Sequence, residues 1–330
     1  MSKLDGNDRV RIIRLASDDH YREQLVIDVR KGLTSTPKTL PPKYFYDARG
    51  SKLFEAITCL PEYYQTRTET AILSKLAHAI IAEVRPSEIV ELGFGASRKT
   101  RLLLEAMYAA GTGNRYVPFD VSEEALVNAS LTLVGDYPWL CVGGVIGDFD
   151  HHLECIPNGG RRLIAFLGST IGNLHPDQHV TFLRAVARLL GYGDAFLLGV
   201  DLVKDVATLE AAYDDAQGVT AEFNLNVLAV LNRELDADFP LEAFTHVTRY
   251  RADRAWIEMA LRAERDLVVR LHALDLDVEF VRGEELQTEI SCKFTRPGVE
   301  TIFSAAGLTL SQWHTDPQGK FAVTLATRTA

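Results

Sequence analysis

The chain has no run of 18 apolar residues, and its start, Met1-Ser-Lys-Leu-Asp-Gly-Asn-Asp, lacks the apolar core of a secretory leader. A cytoplasmic protein without a membrane partner is expected. It has no Lys/Arg runs either, and 35 basic against 45 acidic residues leave a net charge of −10, which argues against a nucleic-acid or anionic-membrane surface. The expected partner is a small molecule. The only cysteines are Cys59, Cys141, Cys155 and Cys292. They show no CxxC or zinc-like spacing and read as reduced, mostly buried thiols. His175 and His179 lie one helical turn apart, but without a carboxylate or Cys in register they read as a solvated helix start after Pro176, and no metal is expected. Internal repeats and low-complexity stretches are absent too.

What is present centres on Glu88-Ile-Val-Glu-Leu-Gly-Phe-Gly-Ala-Ser-Arg-Lys-Thr100, an apolar strand entering a glycine-punctuated turn with a helix pattern behind it. Gly93 and Gly95 let backbone turn sharply and approach a ligand over the helix N-terminus. A P-loop would need Gly immediately before Lys99-Thr100, where Arg98 stands; a dinucleotide fingerprint would need a third Gly there. S-adenosylmethionine, which has no phosphates, is the nucleotide cofactor that remains. Asp120 ends a second strand 25 positions after Gly95, near the ~20-residue offset at which such folds present a carboxylate to a ribose; it could also cap the next helix, as could Ser122. Asp148 and Phe149 end a third strand and suit an adenine amino group and ring, or form a surface loop.

Strands are expected at 89–92, 116–120, 142–147, 163–167 and 195–203 with helices such as 122–134 and 177–190 between them, an α/β doubly wound sheet with ligands at the carboxyl ends of its strands. The fourth strand runs into Phe166-Leu-Gly-Ser-Thr-Ile-Gly-Asn-Leu174, which would bring Asn173 close to the transferable methyl unless it caps the following helix. A helix 298–306 and strands 308–313 and 321–326 around Asp316-Pro-Gln-Gly319 form a terminal β-hairpin, as class I methyltransferases finish. The remainder reads differently. Residues 13–33 carry a helical pattern, two loops hold Tyr44, Tyr46, Tyr63 and Tyr64 as a substrate wall or as buried anchors, and 204–240 is mostly helical. A strand 256–262, with Met259 in its core-facing row, is expected to pair with 266–272. Glu289 and Ser291 share a face if their segment is extended, either to bind a ring donor and a ring acceptor or as a solvated face. The expected domains are 64–203 with 294–330 for the cofactor, and 12–63 with 204–293 as an inserted α+β domain for the substrate.

Taken together, Leu40-Pro-Pro-Lys-Tyr-Phe-Tyr-Asp, Leu60-Pro-Glu-Tyr-Tyr-x-Thr-Arg-Thr-Glu, Phe166-Leu-Gly-Ser-Thr-Ile-Gly-Asn, Asp201-Leu-Val-Lys-Asp, Tyr213-Asp-Asp-Ala-x-Gly-Val-Thr-Ala, Phe223-Asn-x-Asn-Val-Leu and Thr288-Glu-Ile-Ser-Cys-Lys-Phe resemble the histidine Nα-methyltransferases of ergothioneine biosynthesis over nearly the whole chain. The resemblance implies a class I (Rossmann-like) methyltransferase that converts L-histidine to hercynine in three transfers and releases S-adenosylhomocysteine. It implies cofactor contacts at Gly93, Lys99, Asp120, Asp148 and Phe149, with Lys99 on the cofactor's carboxylate and Tyr46 at the reaction centre. Tyr63, Asn173 and Tyr213 would hold the backbone end of the amino acid, Glu289 and Ser291 the imidazole, and Gly168 and Met259 would line the pocket. Phe94 departs from the small residue expected there. Tyr46 is expected to orient the amine, since a Tyr with a pKa near ~10 is a poor base at neutral pH. Two alternatives stay open: another amino acid such as tryptophan as substrate, or a non-catalytic cofactor-binding protein. The protein is expected to act as a monomer.

Overall fold

The computed structural model describes residues 2–3, 8–15, 18–93, 98–149 and 151–329; Phe94, Gly95 and Asp150 lie outside them. The chain forms two compact units, one of Met1–Ala16, Gln65–Val203 and Lys293–Ala330, the other of Ser17–Tyr64 and Lys204–Cys292.

In the first unit, the described residues form a nine-stranded sheet in the order Ser2–Lys3, Val10–Arg14, Cys141–Ile146, Arg115–Asp120, Glu88–Leu92, Arg162–Phe166, Ala195–Asp201, Phe321–Arg328 and Leu308–Thr315. Neighbours from Val10–Arg14 to Ala195–Asp201 are parallel, and Phe321–Arg328 enters antiparallel against Ala195–Asp201. Strands of such a sheet are covered on both faces and so read as continuous apolar runs rather than alternating ones. All of Glu88–Leu92, Arg162–Phe166 and Ala195–Asp201 is buried. Chain order reverses beside Glu88–Leu92, which places a ligand crevice at its carboxyl end. The strand Val10–Arg14 falls partly in a segment that sequence periodicity assigned to a front helix. That helix spans Asp18–Leu33.

In the second unit, a four-stranded sheet runs Lys38–Thr39, Glu285–Cys292, Trp256–Ala263 and Phe244–Arg251. Its inner side packs on helix Val219–Leu235 through residues such as Phe223, Val227, Leu261 and Leu286. Here the expected pairing is corrected. Trp256–Ala263 pairs with Phe244–Arg251 and Glu285–Cys292, whereas Leu267–Leu271 pairs with Leu276–Phe280 as a separate hairpin. The turn at Asp275, with φ 47°, closes that hairpin on itself, so its first strand has a nearer partner than Trp256–Ala263. A bulge between Met259 and Ala260 shifts the register beside Glu289.

Cys59 and Cys155 are exposed, Cys141 is half-buried and Cys292 is buried, which corrects the expectation of mostly buried cysteines. No helix among the described residues is long and apolar enough to cross a membrane.

Candidate active site

At the carboxyl edge of the parallel strands the first unit gathers its expected site residues. Gly93 follows Glu88–Leu92 at φ 71°, a conformation L side chains resist, and donates its N–H to the Phe119 carbonyl at 3.0 Å. A Cβ on Gly93 would stand 3.4 Å from the Phe149 ring. Asp120 ends its strand half-buried and accepts the Ser122 N–H at 2.9 Å, while Ser122 is the residue that starts helix Glu123–Asp136. Asp148 and Phe149 follow Cys141–Ile146. The Phe149 ring stacks on Phe119, centroids 5.6 Å apart, and meets Phe166 and Phe182 edge-on. Asn173 closes a short 3₁₀ turn, Thr170–Asn173, and His175 rather than Asn173 starts the following helix. His175 pairs with Asp177 at 2.7 Å and His179 donates to the Leu174 carbonyl at 3.0 Å. Among the described residues no group of three or more His, Cys, Asp or Glu is placed to hold a metal ion.

Two further acids of the first unit, Glu91 and Glu69, are buried. Glu91, on the strand itself, turns into the core and accepts the Thr100 and Tyr116 hydroxyls; burial holds its carboxyl above the usual carboxylate range, against the lowering effect of those two bonds and of Lys99. Glu69, in helix Tyr64–Val84, is fully buried. Its two oxygens accept the Gly168 N–H at 3.0 and 2.9 Å, and Oε2 also pairs with the Lys99 ammonium. One carboxylate thus ties Lys99 to the turn that leads into Asn173. Sequence reasoning missed Glu69 because mid-helix acids are usually solvated; the signal was its place at the end of Leu60-Pro-Glu-Tyr-Tyr-x-Thr-Arg-Thr-Glu, one turn of helix beyond Gln65, itself buried.

Gly199 is shaped for this carboxylate, since a Cβ there would lie 1.9 Å from Glu69 Oε1. Gly199→Ala is therefore expected to destabilise the protein by ~1–3 kcal/mol through overpacking. Most of that cost should vanish in a Glu69→Ala background, where the clash is gone. Thermal denaturation of the four-member cycle measures it, and additive losses would mean that the two residues do not meet.

The second unit gathers the other expected residues. The Tyr213 hydroxyl and Ser291 Oγ are 2.7 Å apart in a buried hydrogen bond. Tyr63 and Tyr213 meet edge-on at 6.4 Å, and Phe54 bridges Tyr63 to Tyr46 with ring distances of 6.2 and 5.5 Å. Met259 is paired across the sheet with Glu289, and Ile257 with Ser291. Glu289 and Ser291 both lie within the strand Glu285–Cys292, so their carboxylate and hydroxyl share a face, and both are buried. Tyr46 ends a 3₁₀ turn just ahead of Asp47, which caps helix Ala48–Thr58 by accepting the Gly50 N–H at 2.8 Å.

A largely parallel sheet with an antiparallel terminal hairpin and a glycine turn after its central strand is the fold of a class I, Rossmann-like methyltransferase. The family described as "Histidine-specific methyltransferase, SAM-dependent" matches residues 25–328, and the chain belongs to it. It is 53% identical to the histidine N-alpha-methyltransferase of Mycolicibacterium smegmatis, across 94% of this chain and 97% of that one. It is 49% identical to the protein of the same name from Mycobacterium tuberculosis, across 97% and 100%. Against ergothioneine biosynthesis protein 1 of Neurospora crassa the identity is 33%, across 89% of this chain and 35% of that longer one.

Proposed function

We infer that the protein methylates the α-amino nitrogen of L-histidine three times, yielding hercynine and S-adenosylhomocysteine, the opening reaction of ergothioneine synthesis. Family membership over residues 25–328 carries this reading. S-adenosylmethionine supplies the methyl group as an electrophilic sulfonium. The first unit suits it: Gly93 leaves room for a close approach, Asp120 ends the neighbouring strand for the ribose hydroxyls, Asp148 and Phe149 suit the adenine, and Lys99 offers a cation to a carboxylate.

For the amino acid, Tyr63, Asn173 and Tyr213 are the candidates for holding the backbone end. Glu289 and Ser291 hold the ring, and Gly168 and Met259 line the pocket. An indole has one ring donor and no acceptor, whereas a neutral imidazole has both, which favours histidine over tryptophan at a carboxylate beside a hydroxyl. Transfer requires a neutral amine lone pair in line with the methyl, so positioning, worth up to ~7–11 kcal/mol, dominates the rate enhancement. Tyr46 orients the nitrogen, and Asn173, which can donate and accept, fixes its rotation.

Mass spectrometry of L-histidine, tryptophan and histamine incubated separately with the protein and S-adenosylmethionine tests the reading. A trimethyl product from histidine alone is expected. A methylated tryptophan would overturn the assignment of Glu289 and Ser291, and no product from any of the three would overturn the enzymatic reading.

A further inference from the structure

The motif Phe223-Asn-x-Asn has no role in the site as described so far, yet both asparagines are buried on helix Val219–Leu235. Asn226 donates to Asp47 at 2.8 Å and so braces the residue next to Tyr46. Asn224 is fully buried, and every polar atom of its amide is used. Its Nδ2 donates to the Ala260 carbonyl at 3.1 Å and to His246 Nδ1 at 2.8 Å, and its Oδ1 accepts from Thr288 Oγ1 at 2.7 Å. The Ala260 carbonyl can only accept, which fixes the amide's orientation and makes His246 Nδ1 an acceptor. The proton of the neutral ring is therefore on Nε2, which stands 2.9 Å from the Tyr213 carbonyl; Thr248 Oγ1 donates to the same carbonyl at 3.0 Å.

These bonds form one continuous path. It runs from Thr288, the neighbour of Glu289, through Asn224 and His246 to the backbone of Tyr213, whose hydroxyl meets Ser291. We propose that His246, oriented by Asn224, is a positioning residue that fixes Tyr213 relative to the strand bearing Glu289 and Ser291, so that a single relay sets the spacing between the backbone-end grip and the ring grip on the substrate. The proposal rests on the reading of those residues as substrate contacts.

The charge environment suits a neutral ring. Burial lowers the His246 pKa, outweighing the Tyr213 carbonyl and the carboxylates of Asp214 and Asp215, which raise it. Asp215 itself is committed elsewhere, to the N–H groups of Thr220, Val219 and Gln217 at 2.7, 3.0 and 3.1 Å. The cross-strand neighbour of His246 on Trp256–Ala263 is the uncharged Leu261. Protonation would put an Nδ1–H against the Asn224 N–H₂ and break the path.

Steady-state kinetics of His246→Leu and His246→Gln test this. His246→Leu should raise KM for histidine ~10-fold or more, the equivalent of one lost buried hydrogen bond, while KM for S-adenosylmethionine stays within about 2-fold. His246→Gln, whose amide can still donate to the Tyr213 carbonyl, should restore most of the loss. The ratio of kcat/KM for the wild type to that of His246→Gln cancels the titration of the substrate, and it should fall as pH drops below the ordinary histidine value of about 6.5. An unchanged KM for histidine in His246→Leu, or a flat ratio, would overturn the proposal; if His246→Leu does not fold, the ratio decides alone. Should the wild type not methylate histidine at all, the functional reading fails first. The relay is then judged by ¹⁵N NMR: a neutral Nε2–H ring at pH 7 upholds it, and an Nδ1–H ring or an imidazolium overturns it.

Discussion

Glu289→Ala is expected to lower kcat/KM for L-histidine by ~10²–10³-fold, chiefly through KM, and to leave the dissociation constant of S-adenosylhomocysteine unchanged. Glu289 is buried on an interior face of the second unit, one strand position from a bulge that sets its register against Met259. A hydrogen bond to a charged group contributes ~1.5–3 kcal/mol, and removing one partner in a buried site strands the other at a further ~1 kcal/mol or more, so that a total of ~3–4 kcal/mol corresponds to the expected loss. Glu289→Gln should fall between, since its amide keeps one acceptor but loses the charge. Ser291→Ala should cost less than either, ~10-fold, because a neutral hydroxyl offers a weaker bond and Tyr213 remains to hold the cavity. Steady-state kinetics and calorimetry with S-adenosylhomocysteine separate these outcomes. A Glu289→Ala enzyme with unaltered KM for histidine would remove the ring grip from that strand.

The parts of this molecule legible in its sequence are those whose physics is local. Ile89-Val90, Leu163-Ile164 and Phe196-Leu197-Leu198 are apolar runs of strand length, and runs of that kind ended by Gly, Asp or a small-residue turn leave little choice beyond a buried parallel strand. The terminal hairpin was equally plain, with Asp316-Pro-Gln-Gly319 between two segments of strand length. What sequence did not disclose is pairing at a distance. Phe244–Arg251 alternates weakly and carries Thr245, His246, Thr248, Arg249 and Arg251, so nothing marked it as an edge partner of Trp256–Ala263. Likewise Glu285–Cys292 reaches that strand only after an intervening hairpin, and proximity in sequence pointed to Leu267–Leu271 instead.

The same division holds for the site. Gly93 and Asp120 stand out because turn geometry and strand ends follow from neighbours in the chain. Glu69 and His246 do not, because each is defined by a partner roughly a hundred or more than thirty residues away, Gly168 in one case and the Tyr213 carbonyl in the other. Their chemistry is ordinary until the fold buries it.

Burial also decides the largest stability effect. Lys293 Nζ and Asp201 Oδ2 form an ion pair at 3.0 Å in which both side chains are fully enclosed. Asp201 ends the wholly buried strand Ala195–Asp201, and its N–H donates to Ser169 Oγ at 2.9 Å, while Phe294 N–H donates to the Asp201 carbonyl at 2.8 Å. The pair therefore braces the left-handed residue Ser169, φ 58°, at the head of the turn that carries Asn173. Desolvating two charges is costly, and an intact pair need not stabilise relative to apolar replacements; but removing one member leaves the other buried without its counter-charge, at ~3–5 kcal/mol. Lys293→Met is accordingly expected to lose that much stability in urea denaturation, and Asp201→Leu a similar amount. The double variant Asp201→Leu/Lys293→Met should recover most of the loss, because neither charge is then stranded. Activity gives an independent reading: if Ser169 keeps its hydrogen bond to the backbone N–H of residue 201, the double variant should retain kcat within ~10-fold of the wild type, one hydrogen bond's worth of misplacement at most. Losses that simply add across the two positions would show instead that the charges do not interact, and that each side chain is held by other neighbours.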